Sequence, residues 1–210
     1  MQGAFEEHEK AFTLLRAKTL TKTLTNTRAK THTKSNIKTK QIRNLDDFQS
    51  GVDALVIPGG ESTVQGKLLH DLDLFYAMKA AIESGMPVLG TCAGLLLLAK
   101  SIFSDTPSSA DLALTGGENT YLATMDIVAK RNAFGRQLGS SSMVGRFAEK
   151  DVPMVFIRAP YIASVGEGVK VLSQVDGKIV AAEQGNQLVT AFHPELTGDL
   201  TVHEHFLNMV

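Results

Sequence analysis

The chain has 210 residues, 43% of them hydrophobic, with 21 Lys and Arg set against 22 Asp and Glu. Such a length and apolar content suffice for one substantial core, so the expectation is a single domain over residues 1–210. The charge balance supplies no general field for holding nucleic acid or an anionic membrane. The longest apolar stretch, Leu95 to Ala99, is far short of the roughly 20 residues that span a bilayer, and no leader pattern opens the chain, which points to a cytoplasmic protein. A single cysteine, Cys92, can form neither an internal disulfide nor a cysteine-rich metal site, leaving an inert buried thiol or a nucleophile.

In chain order, the segment from about Arg16 to Gln41 is rich in threonine, lysine and arginine and has no acidic residue. It cannot bury a core face. The alternation of Thr19, Thr21, Thr23, Thr25 and Thr27 fits a polar exposed strand or ribbon, and the composition fits disorder equally well. A nucleic-acid arm is disfavoured, because no aromatics are interleaved for base stacking. From Asp53 onward short apolar runs alternate with amphipathic segments, the pattern of an α/β layer fold. Asp53 to Ile57 reads as a buried strand ending at Pro58-Gly59-Gly60, and Val64 to Glu83 as a helix with Leu68, Leu69, Leu72, Phe75, Met78 and Ile82 on one face. Met86 to Gly90 is a second strand, Thr91 to Gly94 a tight turn, and Leu95 to Ser101 the start of a fully buried helix. Two consecutive strand–turn–helix units imply parallel strands whose carboxyl ends share a crevice. Val169 to Val175, Lys178 to Glu183 and Gln187 to Phe192 are β-rich runs separated by the hairpin signals Asp176-Gly177 and Gly185-Asn186. Leu200 to Val210 reads as a closing helix.

Gly90-Thr91-Cys92-Ala93-Gly94 lies between a predicted strand and a predicted helix, where a nucleophile elbow needs small residues. There a cysteine gains thiolate character from the helix start and a nearby histidine, and the N–H of Ala93 faces a developing oxyanion. His193-Pro194-Glu195 follows an apolar strand, so the histidine supplies a base and the carboxylate behind it an orienter. By itself a histidine before proline is an ordinary turn residue; the elbow is what gives His193 its weight. His203 and His205 are two apart on a predicted helix, where side chains diverge, which argues against a metal pair. Gly59-Gly60-Glu61-Ser62-Thr63 lies at the end of a parallel strand, where glycines admit a ligand and backbone N–H groups of Gly59 and Gly60 can complete an oxyanion hole. A phosphate loop is the competing reading, but its lysine and spacing are missing.

Taken together these residues resemble the class I glutamine amidotransferases and, more narrowly, the glutaminase subunits of pyridoxal 5′-phosphate synthase. The resemblance runs along nearly the whole chain, through Gln2-Gly3-Ala4, Glu7-His8, Gly59-Gly60-Glu61-Ser62-Thr63, Gly90-Thr91-Cys92-Ala93-Gly94, Arg131-Asn132, Phe134-Gly135-Arg136-Gln137, Ile157-Arg158-Ala159-Pro160 and Phe192-His193-Pro194-Glu195-Leu196. Leu95-Leu96 and Leu196 separate it from the anthranilate, guanylate and carbamoyl phosphate branches. The resemblance implies a three-layer α/β fold of flavodoxin-like type, with a mostly parallel sheet flanked by helices and C-terminal β-hairpins. It implies a catalytic triad of Cys92, His193 and Glu195, with L-glutamine held by Gly60, Glu61, Ser62, Arg131, Ile157 and Arg158. The bland reading of both arginines is a surface ion pair. It further implies a hetero-oligomer with a barrel-shaped synthase subunit that receives the ammonia, and no cofactor or metal.

Two departures from the family pattern stand out. The chain begins at Met1-Gln2 where the family has an apolar strand leading into the Gln2-Gly3-Ala4 turn, so a sheet without that first strand is expected. An insertion of about 20 residues, at roughly 18–40, replaces a short link and a strand. A stand-alone cysteine hydrolase of another γ-glutamyl amide and a catalytically impaired binding subunit remain as alternatives.

Overall fold

The computed structural model describes residues 5–25, 37–103, 121–131 and 140–210, excepting the side chains of 18–25, 103 and 140. Helix α1, Phe5–Thr25, buries His8, Ala11, Phe12 and Leu15, an i, i+3, i+4, i+7 stripe. It packs on the C-terminal helix and on the turn after His193. The helix continues to Thr25, which overturns the exposed strand or ribbon expected from Thr19 to Thr25. Once the docked first half is formed, each further residue adds a hydrogen bond without a new nucleation cost, and this outweighs the modest penalty of threonine. Thr27 lies outside the described residues. Ile37 to Arg43 has no regular structure, and a short helix α2, Leu45–Gln49, is capped by Asn44, whose side chain accepts from the Asp47 N–H at 2.8 Å.

Strand β1, Leu55–Ile57, leads into the glycine turn and then into helix α3, Ser62–Asp71. The single helix expected from Val64 to Glu83 is in fact α3 and a separate α4, Phe75–Glu83. Asp73 sits in the left-handed region at φ 56°, with Asp73 N–H donating to His70 O and Leu74 N–H to Leu69 O. That is a Schellman end made without glycine, and fully buried Leu74 supplies its hydrophobic contact. Strand β2, Val88–Thr91, is buried throughout, as is helix α5, Ala93–Leu98. The helix expected to run through Ser101 stops at Leu98, and Ala99 turns directly into β3, Ala99–Phe103. The later strands are β4 Met125–Lys130, β5 Ser140–Phe147, β6 Lys150–Ile157, β7 Tyr161–Val165, β8 Lys170–Val175, β9 Lys178–Gln184 and β10 Gln187–Thr190. A single 3-10 turn, Pro194–Leu196, precedes helix α6, Thr201–Leu207.

The main sheet runs in the order β1-β2-β10-β9-β7-β4-β3, with β8 paired to β9. The β1–β2, β2–β10 and β3–β4 pairs are parallel, and the C-terminal pairs around β9 are antiparallel hairpins. Both expected hairpin turns form, at Asp176-Gly177 with φ 49° and 73°, and at Gly185-Asn186. Strands β5 and β6 make a separate ribbon, tied back where the His193 N–H donates to Val155 O at 2.8 Å. The carboxyl ends of β1, β2 and β10 thus converge, each followed by one of the motifs singled out in the sequence.

Close approach of β1 and α5 is what brings these ends together. A Cβ on Gly94 would lie 2.2 Å from Ile57 O, whereas one on Gly198 would meet nothing within 4 Å. Gly94→Ala is therefore expected to cost about 1–3 kcal/mol by overpacking, lowering the melting temperature by roughly 2–4 °C for each kcal/mol in a chain of this size. Gly198→Ala should leave the melting temperature unchanged, and thermal unfolding of the pair checks the claim.

Candidate active site

Cys92 stands between β2 and α5 with φ 49° and ψ −95°, a backbone conformation that an L-residue holds only at a cost of about 1–3 kcal/mol. Its N–H donates to Thr190 O on β10 at 2.8 Å. Small neighbours are required, since a Cβ on Gly90 would press on the Gly94 backbone at 2.8 Å. The thiol is buried and lies 3.9 Å from Ile157 O.

His193 follows β10 and is also buried. Its Nδ1 is 2.7 Å from Glu195 Oε1, and the ring is also within electrostatic reach of Cys92. Burial alone would push the imidazole down. The bonds to Cys92 and Glu195, with their charges, outweigh it and raise the pKa to about 10. The imidazolium is thus the favoured form, placed between a sulfur and a carboxylate. Gly59 lies close against the Cε1 edge of this ring: a Cβ there would fall 2.3 Å from His193 Cε1. The Gly59-Gly60 turn, with Gly60 at φ 155°, therefore borders the Cys92–His193 pair. Ala93 is the first residue of α5, so its N–H has no partner within the helix.

The residues expected to hold a substrate are distributed as follows. Ser62 is buried at the start of α3 and accepts from Arg131 Nη2 at 2.8 Å. The same nitrogen donates to Thr63 Oγ1 at 3.1 Å and to the Tyr121 hydroxyl, and the guanidinium carbon lies 5.7 Å from the centre of the Tyr121 ring. Arg131 is thus half-buried, with hydroxyls and an aromatic face among its partners. Glu61 caps α3, with Oε1 accepting from Thr63 N–H at 3.2 Å and Oε2 from Val64 N–H at 2.7 Å. Its carboxylate thereby shapes the turn. Ile157 ends β6 and Arg158 follows it, both exposed, Arg158 at φ 45°, and Ile157 brings its carbonyl to the thiol. Gln2-Gly3-Ala4, Asn132 and Phe134-Gly135-Arg136-Gln137 lie outside the described residues.

Thr63 and Tyr121 escaped sequence reasoning as partners of Arg131. Thr63 is adjacent to a recognisable turn, but Tyr121 has no local signature. His203 and His205 do diverge: the first faces His8 and the second Glu183, at 3.0 and 2.6 Å. Among the described residues no group of three or more His, Cys, Asp or Glu could hold a metal ion, and no helix is long and apolar enough to cross a membrane.

Known proteins resemble this chain along its length. The profile of the SNO glutamine amidotransferase family matches residues 1–210. The chain is similar to the pyridoxal 5′-phosphate synthase subunit PdxT of Streptococcus pneumoniae (strain ATCC 700669 / Spain 23F-1), with 44% identity over 218 aligned positions covering 100% of this chain and 94% of the relative. The same figures hold for the protein of that name from strain 70585. A solved structure described as a crystal structure of glutamine amidotransferase superposes with a TM-score of 0.78 at 33% identity, covering 99% of this chain and 94% of the other.

The raised pKa of His193 has a consequence for stability. Its folded value of about 10 lies above the ordinary value near 6.5, so the stabilisation is fully present below about pH 6.5 and is lost as pH rises through about 10. The melting temperature of the wild type should fall between about pH 7 and 10 more steeply than that of His193→Asn, which lacks the titrating group. Parallel pH profiles for the two proteins would show that His193 does not hold its proton in the folded state.

Proposed function

The chain belongs to the SNO glutamine amidotransferase family, and on that footing we propose that it is a glutaminase subunit releasing ammonia from L-glutamine for a pyridoxal 5′-phosphate synthase. The observation that carries the reading is a strained cysteine at a strand–helix elbow, electrostatically coupled to a histidine whose Nδ1 lies 2.7 Å from a buried carboxylate. This arrangement suits acyl transfer. The Cys92 thiolate attacks the side-chain amide carbon of glutamine, forming a C–S bond while the carbonyl electrons move to oxygen. The N–H groups of Ala93 and of the Gly59-Gly60 turn receive that oxyanion. Collapse breaks the C–N bond, and the His193 imidazolium gives its proton to the departing ammonia. Water, deprotonated by His193, then hydrolyses the thioester, yielding glutamate and restoring the pair. Glu195 fixes the imidazole and stabilises its charge throughout. No metal or cofactor enters these steps.

In this reading Gly60, Ser62, Ile157 and Arg158 contact glutamine, Arg131 orders the start of α3 through Ser62 and Thr63, and Glu61 holds the turn as its cap. The partner is a barrel-shaped synthase subunit that takes up the ammonia within a hetero-oligomer, and the protein works in the cytoplasm. The similarity to PdxT proteins over the full chain favours this partner over a stand-alone hydrolase.

The test is glutamate production from glutamine, measured with and without a matching synthase subunit. Stimulation by the partner is expected. Full turnover without it would favour the stand-alone hydrolase, and none with it an impaired binding subunit. Cys92→Ala should lower kcat by roughly 10³-fold or more, and His193→Asn should cost more than Glu195→Gln, because the first removes the proton carrier and the second its orienter. Normal turnover in Cys92→Ala would remove the mechanism.

A further inference from the structure

The carboxylate that orients His193 has a second side. Glu195 Oε1 is taken by His193, but among the described residues the buried Oε2 has no hydrogen-bond partner of good geometry. Its neighbour is His8 of α1, whose Nε2 lies 3.5 Å away and also 3.4 Å from Thr91 Oγ1, the residue before the nucleophile. The other nitrogen of His8, Nδ1, is 3.0 Å from Nε2 of His203 on α6. His8 is 3% exposed and His203 0%. Two imidazoles thus extend the Cys92–His193–Glu195 line away from the thiol, joining the first and last helices behind the carboxylate.

The proton positions follow from what each arrangement leaves unsatisfied. If His8 carries its proton on Nε2, that N–H faces the carboxylate and Thr91, and Nδ1 accepts from the N–H at His203 Nε2. Only a lone pair at His203 Nδ1, which has no partner, is then left over. In the reverse arrangement His8 Nε2 sets a lone pair against the carboxylate, and His203 Nδ1 becomes a buried donor with no acceptor. That pattern leaves two faults where the first leaves one. A charged His8 is opposed by burial and by the neighbouring His203 and His193, which push its pKa down to about 3. Burial likewise takes His203 to about 4 despite the nearby Asp199. The groups facing His8 are therefore Glu195, Thr91, His193 and His203, with a neutral donor the one form that suits them all.

We propose that His8 is a positioning residue for the reaction: its Nε2–H holds Oε2 of Glu195, so that Oε1 is presented to His193, and His203 fixes the tautomer of His8. This rests on the triad reading of Cys92, His193 and Glu195. Two substitutions separate the two nitrogens of His8. The amide nitrogen of His8→Gln reaches the position of Nε2 and restores a donor to Glu195. His8→Asn reaches only the position of Nδ1 and restores contact with His203 alone. His8→Leu restores neither.

Partner-stimulated glutamine hydrolysis by these three variants is the test, with melting temperature measured on each. His8→Leu and His8→Asn should lose about tenfold in kcat, the order seen when the outer partner of an active-site ligand is removed, with KM for glutamine little changed. His8→Gln should recover most of that loss. Alkylation of Cys92, the chain's single cysteine, followed against pH should show its midpoint moved upward in His8→Asn and restored in His8→Gln, because an imidazolium less firmly held stabilises the thiolate less. A purely packing role predicts that kcat tracks melting temperature and that Asn and Gln behave alike, and that result overturns the proposal even if His8→Leu fails to fold. Glu195→Gln run alongside distinguishes the two levels. Loss of activity there with none in His8→Asn leaves the triad standing and removes His8, whereas an unaffected Glu195→Gln removes the triad reading itself.

Discussion

The strained backbone of Cys92 is the constraint around which the rest of the site is arranged. A cysteine at φ 49° and ψ −95° relaxes unless both flanking segments are held, and here each is. On one side β2 is buried between β1 and β10 in parallel register, and the Cys92 N–H itself is fastened to Thr190 O. On the other, all six residues of α5 are buried, so the helix cannot swing away without exposing four leucines to water, at about 25 cal/mol per Å² of apolar surface. The burial outweighs a local strain of about 1–3 kcal/mol. The absence of side chains at Gly90 and Gly94 lets α5 lie this close to the strands, and because β10 neighbours β2, the chain leaving β10 delivers His193 beside the thiol.

What was legible in the sequence is what depends on neighbours along the chain. The apolar strand, glycine turn and leucine run around Cys92 needed only local reading, as did the hairpins at Asp176-Gly177 and Gly185-Asn186. What was hidden depends on distant contacts. Nothing local marks Asp73 as a helix end, since its left-handed backbone is stabilised by the burial of Leu74. The conversion of Ala99 to Phe103 into a strand requires β4 as its partner, and β4 has the plain in–out alternation of a sheet face. Glu61 shows the same limit within a recognised motif. Its type and position fit a substrate contact; that both of its oxygens also accept from the backbone of α3 has no sign in the sequence.

The imidazoles of the site show how a shared condition gives opposite results. His193, His8 and His203 are all buried, and burial by itself disfavours the charged form in each. Only His193 is acted on by both Cys92 and a carboxylate, and its pKa rises while those of His8 and His203 fall. Glu195 is the point at which the difference arises. Its Oε1 lies 0.8 Å nearer to His193 than its Oε2 does to His8, from 2.7 and 3.5 Å, so the carboxylate supports one cation and leaves the second ring neutral. Were both rings charged, one buried anion would face two cations with a third imidazole at hand, a state that desolvation penalises heavily.

That asymmetry bears on why α1 belongs to the site at all. Helix α1 contributes no residue to the elbow, and its buried stripe of Ala11, Phe12 and Leu15 would be satisfied by any apolar surface. The stripe nonetheless also carries His8, set against Glu195 and against His203 of α6, while Phe12 packs edge-on to the same His203 ring with centroids 5.2 Å apart. Apolar contact therefore fixes the helix, and the helix in turn fixes a neutral donor behind a charged carboxylate. A water in that place would satisfy Oε2 equally well but would let the carboxylate rotate, whereas a ring held by packing on one edge and by a histidine on the other restricts it. The order of dependence thus runs from the hydrophobic face of α1, through the two neutral imidazoles, to the orientation of His193 over Cys92.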